Sequence, residues 1–201
     1  MVKLFSPGLL TVGCWNIEGV YENVNSVKIN KLEDEIFLKT LMKFDILCLQ
    51  ETHLGPDEDP KVCESYVSVP HCRSKSKNGR FFGGMLLLIK KSVRGLVDIR
   101  RDFDQDLIEV ILNKKPFNLK ADKRIIFAYA SPINSPYTKS REMNILEKFE
   151  TKDACCLNTL FVGDLNGRTG KEEDYVRDIV DKYCPVNTPI YTRDSALYRN
   201  N

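Results

Sequence analysis

Five side chains stand where chemistry is easy to place: Asn16, Glu51, Tyr129, Asp164 and Asn166. They close four apolar runs, with Asn16 after the first, Glu51 after the second, Tyr129 near the end of the third, and Asp164 and Asn166 after the fourth. One polar residue after one strand is an ordinary solvated strand end. Four runs that end in carboxylates, amides and a phenol suggest strand ends converging on one cleft. Such a set suits a hard divalent cation. Mg²⁺, or Mn²⁺ in its place, takes one or two carboxylates, keeps several waters and finds its remaining ligands on phosphate oxygens. Glu51 and Asp164 would supply the carboxylates, and Asn16 and Asn166 would orient a phosphate or a water. The Tyr129 hydroxyl would stabilise developing negative charge. The chain has no Ser-His-Asp order and no Gly-x-Ser-x-Gly elbow, so acyl transfer lacks a nucleophile.

The densest of these stretches is Leu160-Phe161-Val162-Gly163-Asp164-Leu165-Asn166-Gly167. A short apolar run bounded by glycine reads as a buried strand. Side chains alternate along a strand, so Asp164 and Asn166 would point the same way. Gly-Asp-Leu-Asn-Gly would equally make an adequate turn. On this octapeptide alone, turn and site account for the residues equally well.

The elements that must hold these residues follow one another irregularly. Residues 9–15 read as a first strand ending at Asn16, and residues 44–49 as a second ending at Gln50-Glu51-Thr52-His53. Between them, Asn25 or Ser26 would cap a helix running to about Lys43, with Ile29, Leu32, Ile36, Leu41 and Met42 near helical spacing. Residues 84–89 and 125–130 are strongly apolar strands; 65–69, 96–100 and 106–112 are weaker ones. Residues 136–149 look helical, with Met143, Leu146 and Phe149 on one face. Residues 57–60 form an acidic loop, and 72–80 a basic turn-like one carrying Arg73, Lys75, Lys77 and Arg80 around Asn78-Gly79. Strands outnumber helices and are unevenly spaced. That predicts an α/β domain with mixed or antiparallel sheets rather than a regular βαβ winding. Gly83-Gly84 precedes a strand and is not the G-x-G-x-x-G of a dinucleotide fold.

With 201 residues the chain fits one domain with a sizeable core, and 42% hydrophobic against 29% charged residues excludes a disordered chain. The net charge of +2 gives no overall field towards nucleic acid, although residues 72–80 make a local basic segment. Four cations among polar residues are more often a solvated loop. The seven cysteines include no Cys-x-x-Cys pair, and Cys14, Cys48, Cys155 and Cys156 lie in or beside apolar segments, as free thiols do. The spacing of His53, Cys63, His71 and Cys72 fits no zinc pattern. This cysteine usage suits a reducing intracellular compartment, cytoplasm or nucleus. No apolar segment follows Lys3 and Pro7 as in a signal peptide. No run approaches the roughly 20 apolar residues needed to cross a bilayer, so no membrane association is expected.

Taken in order, Trp15-Asn16-Ile17-Glu18-Gly19, Leu49-Gln50-Glu51-Thr52-His53, Ala128-Tyr129-Ala130-Ser131-Pro132 and Gly163-Asp164-Leu165-Asn166 resemble the motifs of the endonuclease/exonuclease/phosphatase superfamily. Gly83-Gly84, Gly167-Arg168-Thr169-Gly170, Arg193-Asp194-Ser195 and Asn200-Asn201 look like those of the apurinic-endonuclease-like domain of non-LTR retrotransposons. The resemblance runs over nearly the whole chain, from Thr11 to Asn201. It implies a four-layer α/β sandwich, two packed mixed β-sheets flanked by helices, as one domain over residues 1–201. It also implies Mg²⁺-dependent hydrolysis of a phosphodiester, with DNA as substrate. By motif, Glu51 is the metal ligand with Asn16 beside it, Tyr129 contacts the scissile phosphate, and Asp164 orients or deprotonates the attacking water. Asn166 helps fix that water. Asn134 stands near the place of an asparagine that follows the tyrosine in many relatives, and Arg80 is a further candidate substrate contact.

The family pattern finishes with an Asp and a Ser-Asp-His segment whose Asp and His pair at the phosphate. This sequence has only His53 and His71, both early, so the pattern reads as cut short and activity as impaired. His53 is expected to be structural or at the cleft rim, because a general acid–base group must reach the reacting atoms. Three functions stand at this point. They are a DNA endonuclease domain of retroelement origin, a phosphatase of the same superfamily acting on a small phosphate ester or lipid head group, and a non-catalytic remnant that binds nucleic acid or a partner.

Overall fold

Two short segments, Ile46–Gln50 and Met85–Lys90, are apolar on both faces, and the layering follows from them. A strand buried on both sides needs a cover on each. In the computed structural model, which describes residues 2–4, 10–76, 79–102, 106–131 and 158–164, one cover is a second sheet and the other is helical. All of these residues lie in the compact unit Met1–Leu165. The expected helix over 136–149, and everything after 164, lie outside the described residues.

The first sheet holds β1 (Val2–Leu4), β2 (Leu10–Asn16), β5 (Ile46–Gln50), β6 (Tyr66–His71) and β7 (Met85–Lys90) in the order β1-β2-β5-β7-β6. Within it β2 and β5 run parallel and the other neighbours antiparallel. The second sheet holds β8 (Val97–Asp102), β9 (Leu107–Leu112), β10 (Lys123–Tyr129) and β11 (Thr159–Asp164) in the order β11-β10-β9-β8. Here β10 and β11 are parallel and the rest antiparallel. Both sheets are therefore mixed, as the uneven strand spacing predicts.

Alternation along each strand sorts the core into two layers. Val12, Ile46, Cys48, Met85, Leu87 and Ile89 meet Ile108, Val110, Leu112, Ile125 and Phe127 between the sheets. Leu47, Leu49, Leu86 and Leu88 point the other way, onto Leu32, Phe37 and Leu41. Each of these fully buried aliphatic side chains contributes about 1.5–3 kcal/mol through its removal from water. The described layers are thus helix, sheet and sheet of an α/β sandwich.

The helix expected from Asn25 or Ser26 to Lys43 is a correction. Residues Tyr21–Val24 and Val27–Asn30 form a hairpin, β3 and β4, a turn of 3-10 helix follows at Lys31–Glu33, and Glu35–Leu41 is α-helical (α1). Asn25 and Ser26 take φ of 51° and 67°, the left-handed conformation that a two-residue hairpin turn requires and that asparagine tolerates. The N-cap of α1 is Asp34, whose Oδ1 accepts from the N–H of Ile36 and of Phe37 at 2.9 Å. Ile36, counted on the apolar face, is 75% exposed, and Phe37 takes its place in the core. The short α2 (Lys91–Arg94) follows β7.

Candidate active site

The two parallel pairs, β2/β5 in one sheet and β10/β11 in the other, end at the same edge of the sandwich. Pairing sets Asn16 beside Gln50, Gln50 beside Met85 and Met85 beside His71. In the opposing sheet Asp164 lies beside Tyr129, whose N–H donates to the Asp106 carbonyl at 3.1 Å. Asn16 shares the inward face of β2 with Val12 and Cys14, and Gln50 that of β5 with Ile46 and Cys48. Tyr129 and Asp164 continue the inward faces of Phe127 and Val162. Two rows of polar side chains thus meet where the apolar layer stops.

Hydrogen bonds close the rows. Asn16 Nδ2 donates to Asp164 Oδ2 at 3.1 Å, and the Tyr129 hydroxyl donates to Glu51 Oε1 at 2.9 Å. Gln50 is buried and satisfied at both ends of its amide: Nε2 donates to the Ala128 carbonyl at 2.7 Å and Oε1 accepts from Asp164 N–H at 3.0 Å. One side chain of the first sheet thereby fixes both strands of the parallel pair in the second. Glu51 and His53 stand at φ of 53° and 55°, a conformation that costs an ordinary residue about 1–3 kcal/mol. The segment is strapped on both sides. Ile17, Gly19 and Val20 donate to the carbonyls of Gln50, Glu51 and Thr52 at 3.0, 2.6 and 2.9 Å, and Thr52 and His53 donate to Gly84 and Gly83 at 3.3 and 2.9 Å.

Burial, and after it the Glu51 carboxylate, push the Tyr129 hydroxyl well above the ordinary tyrosine range, with Arg73 acting in the opposite sense. The phenol is therefore a protonated donor at neutral pH. His53 is half-buried, and its burial lowers its pKa against the opposing pull of Glu51. Its ring meets Phe82 edge-on at 5.9 Å. His71 is buried, 3.8 Å from Asp106 Oδ1.

The structure brings Asn16, Glu51, Tyr129 and Asp164 into one set of strand-end residues, hydrogen-bonded as two pairs, Asn16 to Asp164 and Tyr129 to Glu51. Arg80 is exposed on the turn where Ser76 N–H donates to the Arg80 carbonyl at 2.8 Å, and it takes no part in that set. Asn134 and Asn166 lie outside the described residues. The reading of 72–80 as a solvated basic loop needs correction at Arg73, which is only 4% exposed and ion-paired to Asp106. Cys14 is half-buried and Cys48 buried, both free, while Cys155 and Cys156 lie outside the described residues. Sequence reasoning missed Gln50, although its signal was present as the one polar residue of an otherwise apolar β5. It also missed Arg73–Asp106, for which no local pattern exists.

Glu51, Asp164 and the Asn16 amide offer oxygen donors only, a set that fits Mg²⁺ or Mn²⁺ better than a soft metal. Among the described residues no group of three or more His, Cys, Asp or Glu side chains gathers to hold a metal.

The sequence model of the Endonuclease/Exonuclease/phosphatase family matches residues 13–179. The chain belongs to that family. No curated protein sequence matches it. Among solved structures, this family member is similar to an AP endonuclease from Archaeoglobus fulgidus, with a TM-score of 0.46 and 20% identity over 78% of this chain and 57% of that one. It is also similar to the human Nocturnin catalytic domain with bound sulfate anion, with a TM-score of 0.40 and 14% identity over 66% of this chain and 55% of that one. The chain thus spans less than two thirds of the length of either. No helix among the described residues is long and apolar enough to cross a membrane.

Proposed function

We propose that this domain hydrolyses phosphodiesters with the help of Mg²⁺, and that its substrate is DNA, as in a retroelement endonuclease. The observation that carries the reading is the closed set at the sandwich edge: Asn16 bound to Asp164, and Tyr129 bound to Glu51, from the ends of both parallel strand pairs. Glu51 and Asn16 would hold the ion, which when bound neutralises charge on the phosphoryl oxygens. The chain's own groups do the rest. Tyr129, kept protonated, donates to a phosphate oxygen or to Glu51. Asp164, aimed by the Asn16 amide and by Gln50 on its N–H, orients the attacking water and takes its proton. Asn166 supports that water. The motif order shared with non-LTR retrotransposon endonuclease domains supports DNA over a small ester.

One observation favours the phosphatase reading instead. Arg73 is committed to Asp106, so the basic segment offers a polyanion less than its composition suggests.

The test is nicking of supercoiled plasmid by the purified chain in Mg²⁺, with EDTA and Glu51→Ala as controls. Metal-dependent nicking lost in Glu51→Ala supports the proposal, and steep weakening with salt identifies DNA as the bound polyanion. Hydrolysis of a small phosphate ester with little salt dependence would favour the phosphatase. No hydrolysis of either, with DNA still bound, would leave a non-catalytic domain.

A further inference from the structure

Behind Tyr129 lies a buried ion pair that the proposed chemistry does not use. Arg73 Nε donates to Asp106 Oδ1 at 2.9 Å and Nη2 to Oδ2 at 2.5 Å. Asp106 stands at φ 48° immediately before β9, and its carbonyl accepts the Tyr129 N–H at 3.1 Å. The guanidinium carbon of Arg73 lies 5.0 Å from the centroid of the Tyr129 ring. Room for that guanidinium depends on Gly83, since a β-carbon there would lie 2.5 Å from Arg73 Nη1. A bidentate pair taken out of water is weak support for stability, because apolar side chains of similar volume often do as well or better. The guanidinium it holds, however, lies against the ring face of Tyr129, whereas the bond from Tyr129 N–H to the Asp106 carbonyl is a main-chain bond that any residue at 106 would accept.

We infer that Arg73 and Asp106 are positioning residues for Tyr129: the Asp106 carboxylate holds the Arg73 guanidinium, the guanidinium fixes the plane of the ring, and the hydroxyl is thereby aimed at Glu51. The inference rests on Tyr129 belonging to the site proposed above. The cation over the ring also stabilises negative charge on the phenol oxygen, which makes the hydroxyl a stronger donor. Four links then join the two sides along one edge in sequence: Asn16 to Asp164, Gln50 to Ala128 and Asp164, Glu51 to Tyr129, and Arg73 to Asp106.

The test places 3-fluorotyrosine at position 129 of the full chain and follows its ¹⁹F resonance. The parent should give one resonance that shifts on Glu51→Gln. In R73M/D106N, which removes both charges and keeps a residue tolerant of left-handed backbone at 106, the resonance should broaden or split. The response to Glu51→Gln should fall by at least half. Arg73→Lys keeps a buried charge without the fork and should move the resonance part of the way. In the active domain R73M/D106N should lower kcat on the order of tenfold at unchanged KM. A folded R73M/D106N chain with an unchanged resonance and an intact Glu51 response overturns the inference. Should that variant not fold, an unchanged resonance in folded Arg73→Lys overturns it equally. The resonance needs no turnover, so a chain without hydrolytic activity would defeat the proposed function and leave this inference to its own result.

Discussion

Asp164 donates its backbone N–H to Gln50 Oε1 at 3.0 Å, and this bond ties the two sheets together at the site. Gln50 immediately precedes Glu51, so one residue couples the position of a carboxylate in the first sheet to that of a carboxylate in the second. Its other end holds the Ala128 carbonyl, next to Tyr129. Gln50→Leu keeps the volume and removes both bonds, taking a partner from the half-buried Asp164 N–H and from the buried Ala128 C=O. The expected loss is about 2–5 kcal/mol, read from the urea midpoint at unchanged m-value. Gln50→Glu keeps the acceptor and loses the donor. A Gln50→Leu chain as stable as the parent would show that the amide is not the link between the sheets.

Gly163 explains why the last motif needs a glycine before Asp164. A β-carbon at that position would lie 1.8 Å from the Ala128 carbonyl oxygen, and backbone cannot yield as a flexible side chain can. Gly163→Ala is expected to cost at least about 3 kcal/mol, or to pry β11 off β10, with loss of the thermal transition as the measurement. Asp164 pairs with Tyr129 in the same register, so metal-dependent activity should fall with it.

What the sequence made legible follows the strength of each local signal. That Asn16, Glu51, Tyr129 and Asp164 stand at strand ends was readable because each closes a short apolar run, the pattern of a strand. The segment 21–43 was not, because Ile29, Leu32 and Ile36 fall at helical spacing by accident of a hairpin followed by a turn of 3-10 helix, Lys31–Glu33. The sign of the hairpin was Asn25-Ser26 between alternating residues, a turn pair that also caps helices. Arg73 was illegible for a different reason. Its partner Asp106 lies 33 residues away, just before β9, and a cation among lysines and serines looks solvated until the fold pairs it.

Glu58 offers a pH test away from the site. Its Oε2 accepts from Gly55 N–H at 2.9 Å and its Oε1 from Lys28 Nζ at 3.0 Å, tying the β3–β4 hairpin to the 55–58 turn. The Gly55 N–H foremost lowers its pKa from the ordinary 4.5; burial opposes it, and Lys28 adds to the lowering. The unfolded chain binds that proton more readily, so the contribution is present above the unfolded value and is lost as pH falls through the folded one. Urea midpoints should drop between about pH 5 and pH 3 less steeply in Glu58→Gln than in the parent. Identical slopes would show that the carboxylate is not held by these donors.

Glu51 and Tyr129 share one hydrogen bond, yet their replacements should diverge. Glu51→Gln keeps an acceptor for the Tyr129 hydroxyl, so the chain should stay folded, with a melting temperature close to the parent's. It removes a negative charge from the oxygen set, so Mn²⁺ affinity, measured by paramagnetic resonance, should fall at least tenfold, about 1.4 kcal/mol. Tyr129→Phe leaves both carboxylates in place. Stability should drop by less than about 1.5 kcal/mol, because Glu51 is only half-buried and water can replace the lost donor. Metal affinity should hold, while nicking falls on the order of a hundredfold through loss of a donor to developing charge. A Glu51→Gln chain that binds Mn²⁺ as the parent does would remove Glu51 from the metal shell. A Tyr129→Phe chain that nicks at the parent rate would remove the hydroxyl from the chemistry.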